Sequence, residues 1–245
     1  MTEPVVFLHG WGLHGGIWSE TAPLFAGLTP DLPGYGDVTM VSPYSAESLA
    51  DALATTLPDG SYVCGWSLGG MVALALAARH PHKVSRLVLV ATNPAFVSRS
   101  DWPHGLSPEA LAEFARALRQ DYPATLLRFL SLQARGGEQA RAVIERLRSS
   151  VMQRDGMPVA VNAATLAAGL ELLRTVDLRA VLPQLRCPTL VVHGAYDMLC
   201  PPDAGRWLAE HLPNARLAMH ERAAHAPFLS HPDWFAAELR TFFYE

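Results

Sequence analysis

A serine at position 67 lies in the pattern G-x-S-x-G, which spans residues 65–69. The pattern falls where a strand-like run, "SYVC", gives way to an alanine-rich run, "MVALALAA". Where a strand turns sharply into a helix at such a serine, the hydroxyl is exposed and the flanking glycines leave room for the turn. The helix start also directs backbone N–H groups at a developing oxyanion. Ser67 is therefore the candidate nucleophile of an acyl-transfer reaction.

A serine hydroxyl needs a general base, and the base needs a carboxylate that orients it. In this arrangement the chain order is serine, acid, histidine. Asp197 follows the apolar run "TLVVHG", and His225 follows the next strand-like run. Sites of parallel α/β sheets gather at the carboxyl ends of strands, where both residues are expected. We predict that Asp197 orients His225 and that His225 takes the serine proton.

Other acids and histidines have structural explanations. Asp177 precedes its strand and Asp203 begins a predicted helix, so both are expected to be structural. The other histidines lie near strands, helix ends or a helix start and are expected to pack or face solvent: His220, His231, His211, His80 and His82. The alternative for Ser67 is a glycine-rich corner with an incidental serine.

The stretch "FLHGWG", residues 7–12, predicts the other half of an oxyanion hole. A strand that ends in His-Gly places the next backbone N–H opposite the turn, so the N–H groups of Trp11 and Leu68 are the expected donors. His9 and His14 have no acidic or thiol partner at useful spacing, so no metal and no cofactor are expected. Cys64 and Cys200 are expected to be packing residues.

Apolar strand-like runs alternate with helical runs and predict a parallel sheet of about six strands, covered by helices on both faces. The predicted strands are 4–10, 28–37 (weak), 61–67, 84–94, 187–197 and 215–225. The predicted helices are 17–28, which Pro23 is expected to shorten or kink, 45–57, 68–81, 203–212 and 232–243. This order predicts an α/β core.

Residues 98–176 interrupt the alternation and read as helices 107–120, 122–134, 138–153 and 158–173. Ser107 as N-cap and Pro108 after it mark the first of them. We predict a discontinuous core, 1–97 and 177–245, and an inserted helical segment, 98–176, hereafter the cap segment.

The composition limits the class of protein. The 245 residues are 50% hydrophobic with a net charge of −4, which indicates neither nucleic-acid nor membrane binding. Three cysteines do not form a disulfide framework and favour a reducing compartment. No basic leader or long apolar run is visible, so a cytoplasmic protein is expected, and we expect a monomer.

Six stretches together resemble the pimeloyl-[acyl-carrier protein] methyl ester esterase family of the α/β-hydrolase superfamily: "HGWGLHGGIW", "DLPGYG", "GWSLGG", "FLSLQ", "GLELLRTVDLR" and "AAHAPFLSHP". The resemblance implies the triad Ser67, Asp197 and His225 and hydrolysis of the methyl ester of a carrier-bound C7 chain in biotin synthesis. It also implies that Trp11, Leu68 and His225 contact substrate, together with the stretch Phe129, Leu130, Ser131, Leu132 and Gln133. The N-terminal hairpin usual in the superfamily is expected to be reduced or absent.

The implied partner is an acyl-carrier protein, which is acidic. Residues 116–154 hold eight arginines against three acids, a charge of +5. Arg128 and Arg141 stand at basic positions that meet the carrier in the family, whereas Ala124 and Glu145 depart from it. A basic cap segment would steer the carrier, and the alternative is a solvated helix face.

Five aromatic residues are candidates for the wall of an acyl channel, the alternative being that they are ordinary core residues: Trp11, Trp66, Phe96, Trp102 and Phe129. Three other functions keep the same residues. A general short-chain carboxylesterase differs only in its cap, and a C–C hydrolase or lyase shares the triad. A ligand receptor of this fold retains the triad with little turnover.

Overall fold

The computed structural model describes residues 3–154, 157–158 and 162–245. Its main sheet contains the strands β1 (Val5–Leu8), β2 (Ser61–Trp66), β3 (Val84–Val90), β6 (Thr189–Gly194) and β7 (Ala215–His220). The order is β1-β2-β3-β6-β7, and every neighbouring pair is parallel. The predicted parallel α/β sheet is confirmed.

Beside β1, the position of a sixth strand is reduced to a single bridge. Leu28 pairs in parallel with Val6, and the backbone N–H of Phe7 donates to the Leu28 carbonyl at 2.8 Å. The predicted weak strand 28–37 extends no further, because Pro30 and Pro33 lack the N–H groups that a ladder needs.

The strands are buried because their residues are apolar on both faces. Every residue of β1 and β6 is buried, so helices and loops cover both sides of the sheet there. The edge strand β7 is half-buried. The carboxyl ends of β2, β6 and β7 lead into the three segments that carry Ser67, Asp197 and His225.

The core helices are α1 (Ala46–Thr56), α2 (Leu68–Arg79), α7 (Pro202–His211), α8 (Pro227–Ser230) and α9 (Pro232–Tyr244). The Ser45 hydroxyl caps α1 by accepting the Ser48 N–H. The helix α2 ends before Pro81, as predicted.

The predicted helix 17–28 is wrong. Two short 3₁₀ turns, Gly15–Trp18 and Ala22–Phe25, occupy this region. Pro23 lacks the N–H that a continuing helix needs. Ala26 then adopts a left-handed conformation with φ 48°, which turns the chain toward β1.

Four helices lie between β3 and β6 in the chain: α3 (Pro108–Gln120), α4 (Tyr122–Ala134), α5 (Ala140–Met152) and α6 (Ala163–Thr175). The Ser107 hydroxyl accepts the Ala110 N–H and the Asp121 carboxylate accepts the Ala124 N–H, so the first two helices begin where predicted. The other two begin later than predicted, and residues 159–161 of the last predicted helix lie outside the described residues. Two small antiparallel strands that the sequence did not predict follow α5, β4 (Gln153–Arg154) and β5 (Met157–Pro158). The division into core and cap segment stays a prediction.

Candidate active site

Ser67 occupies the sharp turn between β2 and α2. Its backbone has φ 55° and ψ −119°, a conformation that L-residues rarely adopt. The N–H of Ser67 donates to the Val90 carbonyl at 3.0 Å, and its carbonyl accepts the Thr92 hydroxyl at 2.8 Å and the Gly70 N–H at 2.9 Å. Because both backbone groups are held, the surrounding fold maintains the strained turn. The residue remains partly exposed.

The flanking glycines permit close backbone approach at this turn. A Cβ at position 65 would lie 2.3 Å from the Gly69 carbonyl oxygen, and one at position 69 would lie 2.5 Å from the His9 carbonyl oxygen. Both distances are too short for any side chain. The glycine spacing around Ser67 is therefore required by the geometry of a nucleophile elbow.

Asp197 is buried and accepts hydrogen bonds at both carboxylate oxygens. Its Oδ1 accepts the backbone N–H groups of Leu199 and Cys200, each at 2.9 Å, and its Oδ2 accepts His225 Nδ1–H at 2.8 Å. Burial alone would raise the pKa of Asp197. The nearby charge of His225 and the hydrogen bonds from His193 and His225 outweigh burial. The pKa of Asp197 therefore lies well below its ordinary value. Asp197 is thus an ionised acceptor.

His225 is buried, and its backbone is held on two sides. Its N–H donates to the Gln133 carbonyl at 3.0 Å, and its carbonyl accepts the Trp66 indole N–H at 2.8 Å. Because Nδ1–H is donated to Asp197, the neutral ring leaves Nε2 as the acceptor that a general base requires. No hydrogen bond joins the Ser67 hydroxyl to His225 among the described residues; such bonds are often longer before substrate binds.

The His9-Gly10-Trp11 segment packs against the elbow. A Cβ at Gly10 would lie 3.4 Å from the Ser67 Cβ. His9 Nε2 accepts the Leu32 N–H at 3.0 Å, so its Nδ1 carries the proton and donates to the Gly10 carbonyl at 2.9 Å. In a trans peptide the carbonyl and the next N–H point in opposite directions, so His9 fixes the direction of the Trp11 N–H. Neither this N–H nor that of Leu68 donates a backbone hydrogen bond within the described ranges.

A cavity of about 240 Å³ is lined by residues from within 98–176 and from the rest of the chain. Among the described residues, no charged side chain lines it, and its walls include Trp11, Phe96, Phe114, Phe129 and Leu132. The rings of Trp11, Phe114 and Phe129 pack against one another, with centroids 5.1–5.6 Å apart. Met198 lines the cavity while its side chain is 51% exposed, so it marks the opening. Such a cavity suits an uncharged acyl chain.

Several residues predicted to contact substrate or to form the channel wall lie outside the wall of this cavity. Leu130 and Gln133 are buried outside the cavity wall, and the Ser131 hydroxyl donates to the Leu127 carbonyl at 2.9 Å. Trp66 packs against His225, with ring centroids 5.6 Å apart. Trp102 stacks edge-on against Trp207, away from the cavity.

The rival acids and histidines have other partners. Asp177 pairs with Arg99 and Arg179, and Asp203 pairs with Arg206. Three rival histidines lie against other rings or an exposed carboxylate: His211 stacks on Trp207, His220 packs on His231, and His80 pairs with Asp51.

His193 is the residue near Asp197 that the sequence analysis missed. It lies in β6 and is fully buried, and its Nε2 is 3.4 Å from Asp197 Oδ2. In the sequence it reads as one residue of a buried strand, so no local pattern marks it.

The free cysteines Cys64 and Cys200 are buried. Within the described ranges, no group of three or more histidines, cysteines or carboxylates could hold a metal ion. In that same part of the chain, none of the helices has the length and apolar character needed to cross a membrane.

Comparison with known proteins identifies the family. Residues 3–232 match the model of the alpha/beta hydrolase fold. The chain belongs to the α/β-hydrolase family. A pimeloyl-[acyl-carrier protein] methyl ester esterase from Aromatoleum aromaticum is 47% identical over 243 residues, which cover 95% of each chain. A second from Nitrosomonas europaea is 43% identical over 95% of this chain and 92% of that protein.

These two relatives confirm the resemblance to the pimeloyl-[acyl-carrier protein] methyl ester esterase family. Among solved structures, an esterase from Exiguobacterium antarcticum superimposes with a TM-score of 0.88. It covers 99% of this α/β hydrolase and 92% of that chain at 24% identity, and it supports the fold alone.

Proposed function

We propose that this α/β hydrolase is a serine esterase that hydrolyses the methyl ester of pimeloyl-[acyl-carrier protein] to the free acid and methanol, in biotin synthesis. The observation that carries the esterase chemistry is the buried Asp197–His225 pair beside the strained turn at Ser67. The names of the relatives supply the substrate.

The proposed reaction begins when His225 Nε2 takes the proton of the Ser67 hydroxyl and the oxygen attacks the ester carbonyl. The N–H groups of Trp11 and Leu68 hold the oxyanion. His225 then protonates the departing methoxide, which leaves as methanol. Water, deprotonated by the same ring, cleaves the acyl-enzyme. Asp197 stabilises the imidazolium that forms in each half-reaction.

The cavity supports the acyl part of the proposed substrate. Among the described residues its walls carry no charged side chain, so they suit the methylene groups of the acyl chain, while the ester carbonyl reaches Ser67.

We propose that the carrier protein docks on the cap segment. Arg128 on α4 and Arg141 on α5 are exposed, and neither pairs with an acidic residue that the structure describes. By contrast, Arg116 pairs with Glu113 and Arg146 with Glu20. Unpaired arginines on one segment suit an acidic partner. The protein is proposed to act in the cytoplasm as a monomer.

A general short-chain carboxylesterase is the second candidate, because the same triad serves small esters. Complementation separates the two. The gene is expected to restore growth without biotin to a strain that lacks its own pimeloyl-carrier esterase, whereas the Ser67→Ala variant is expected to fail. Rapid hydrolysis of p-nitrophenyl butyrate without rescue of growth would favour the general esterase.

A further inference from the structure

A second histidine faces Asp197 but has no part in the proposed triad. His193 is the fifth residue of β6, four residues before the acid, and it is fully buried. A polar side chain that is fully buried almost always makes at least one hydrogen bond. The partners of His193 all belong to the loop that carries Asp197.

The hydrogen bonds of this ring fix its tautomer. His193 Nε2 lies 2.8 Å from the Cys200 carbonyl oxygen, which can only accept. Nε2 therefore carries the proton. The same nitrogen is 3.4 Å from Asp197 Oδ2, the oxygen that accepts His225 Nδ1–H.

These contacts close a ring of interactions around the acid. Asp197 Oδ1 accepts the Cys200 N–H, the Cys200 carbonyl accepts His193 Nε2–H, and His193 Nε2 returns to Asp197 Oδ2. Both carboxylate oxygens are thereby engaged, and rotation of the carboxylate would break contacts at each end. The turn from Asp197 to Cys200 is locked by one side chain that lies outside it.

The opposite edge of the His193 ring makes no hydrogen bond to any residue that the structure describes. Its Nδ1 is buried without a hydrogen bond in the described part of the chain, and a Cβ at Gly205 would lie 2.5 Å from it. Among the described residues, the titratable group in contact with His193 is Asp197, with His225 on the far side of that carboxylate and the Cys200 thiol close enough to Asp197 to feel its charge. Burial first, and Asp197 second, raise the pKa of the Cys200 thiol, so the thiol is neutral. On the α7 side, Gly205 lies against the ring and brings no side chain to it.

We propose that His193 is a positioning residue that locks the Asp197–Cys200 turn, so that the carboxylate faces His225 Nδ1 throughout the reaction. The inference rests on the proposed triad. His193 does not contact the substrate in this proposal; it affects the reaction by holding Asp197, which in turn holds His225.

Two substitutions test it on the full chain with p-nitrophenyl butyrate. His193→Phe removes the donor, and we expect kcat to fall roughly 10- to 100-fold with KM little changed, because small misplacements of catalytic groups carry large rate costs. His193→Gln keeps an N–H donor for the Cys200 carbonyl, so it should retain kcat within about threefold. Val191→Ala, a buried cavity variant of the same strand, controls for lost stability.

A spectroscopic measurement excludes a merely structural role. The NMR signal of the His225 Nδ1 proton should shift or broaden in His193→Phe and stay in place in His193→Gln and Val191→Ala. Equal kcat losses in His193→Phe and Val191→Ala, with the proton signal unmoved, would overturn the inference. Ser67→Ala is assayed in parallel. If it keeps full activity, the triad itself is wrong, whereas an inactive Ser67→Ala beside a fully active His193→Phe refutes the role of His193 alone.

Discussion

The indole N–H of Trp66 donates a hydrogen bond of 2.8 Å to the backbone carbonyl of His225. Trp66 immediately precedes the candidate nucleophile, and His225 is the candidate base, 159 residues away in the chain. The turn that carries Ser67 and the loop that carries His225 are thus joined directly. Both ends of this bond are buried, so no water replaces it when it is lost.

Trp66→Phe should keep an aromatic ring at this position, lose the extra volume of the indole and lose this bond. The His225 carbonyl would be left buried and unsatisfied, which costs about 1–3 kcal/mol of unfolding free energy. We expect kcat on p-nitrophenyl butyrate to fall about tenfold, because the loop that carries His225 is no longer bonded to the turn that carries Ser67. Steady-state kinetics and thermal melting measure the two effects.

Trp18→Phe is the matched control for that variant. Trp18 is equally buried, but its indole nitrogen has no hydrogen-bond partner in the described part of the chain. It should change kcat little. Equal loss of kcat in both variants would mean that the Trp66 bond does not position the base.

Asp197→Asn should lower kcat by roughly 10⁴-fold, because the wrong histidine tautomer would then face the serine. Asp177→Asn and Asp203→Asn are the controls, since both carboxylates pair with surface arginines. Each should keep nearly full activity. A large loss at either control, with Asp197→Asn near the parent rate, would place the acid elsewhere.

Much of this site could be predicted from local sequence. The elbow follows from glycine spacing between a strand and a helix, and the helix Tyr122–Ala134 begins where Asp121 caps it. The prediction for 17–28 allowed for a break at Pro23 but still gave a helix, whereas the structure has two 3₁₀ turns and a left-handed residue at Ala26, a position where the sequence has neither glycine nor asparagine to indicate it. The contacts of His193 with Asp197 and of Trp66 with His225 depend on tertiary packing, so no local pattern reports them.

Phe114→Ala should change the preferred acyl length. Phe114 packs against Trp11 and Phe129 in the cavity wall, and its loss lengthens the space for an acyl chain. We expect kcat/KM for p-nitrophenyl decanoate, divided by kcat/KM for p-nitrophenyl butyrate, to rise roughly tenfold. Binding of a few additional methylene groups in an apolar pocket changes kcat/KM by about that factor. Any loss of folded enzyme cancels in the ratio. An unchanged ratio would mean that the acyl chain does not enter this cavity.

Reversing Arg128 and Arg141 to glutamate should lower kcat/KM for the methyl pimeloyl-carrier substrate roughly 10- to 100-fold, because attraction becomes repulsion at the docking surface. Hydrolysis of p-nitrophenyl butyrate should stay nearly constant. The parent enzyme should also lose carrier activity as salt rises, because exposed charge pairs are screened.

The control for this reversal is Arg79→Glu with Arg206→Glu, on the core helices α2 and α7. It changes net charge equally and leaves the cap segment untouched. Equal losses on both substrates for the Arg128 and Arg141 reversal would mean that these arginines support the fold. Equal carrier losses in the two double variants would mean that overall charge, and no particular surface, attracts the carrier.

The intact mass of the carrier after incubation with the purified protein reports the proposed reaction on its own substrate. Methyl pimeloyl-carrier should lose the mass of one methylene group, as its methyl ester becomes an acid, and an equal amount of methanol should appear. The Ser67→Ala variant should leave the mass unchanged. Loss of the whole acyl group would show thioester cleavage, and an unchanged mass beside rapid hydrolysis of p-nitrophenyl butyrate would contradict the proposed substrate.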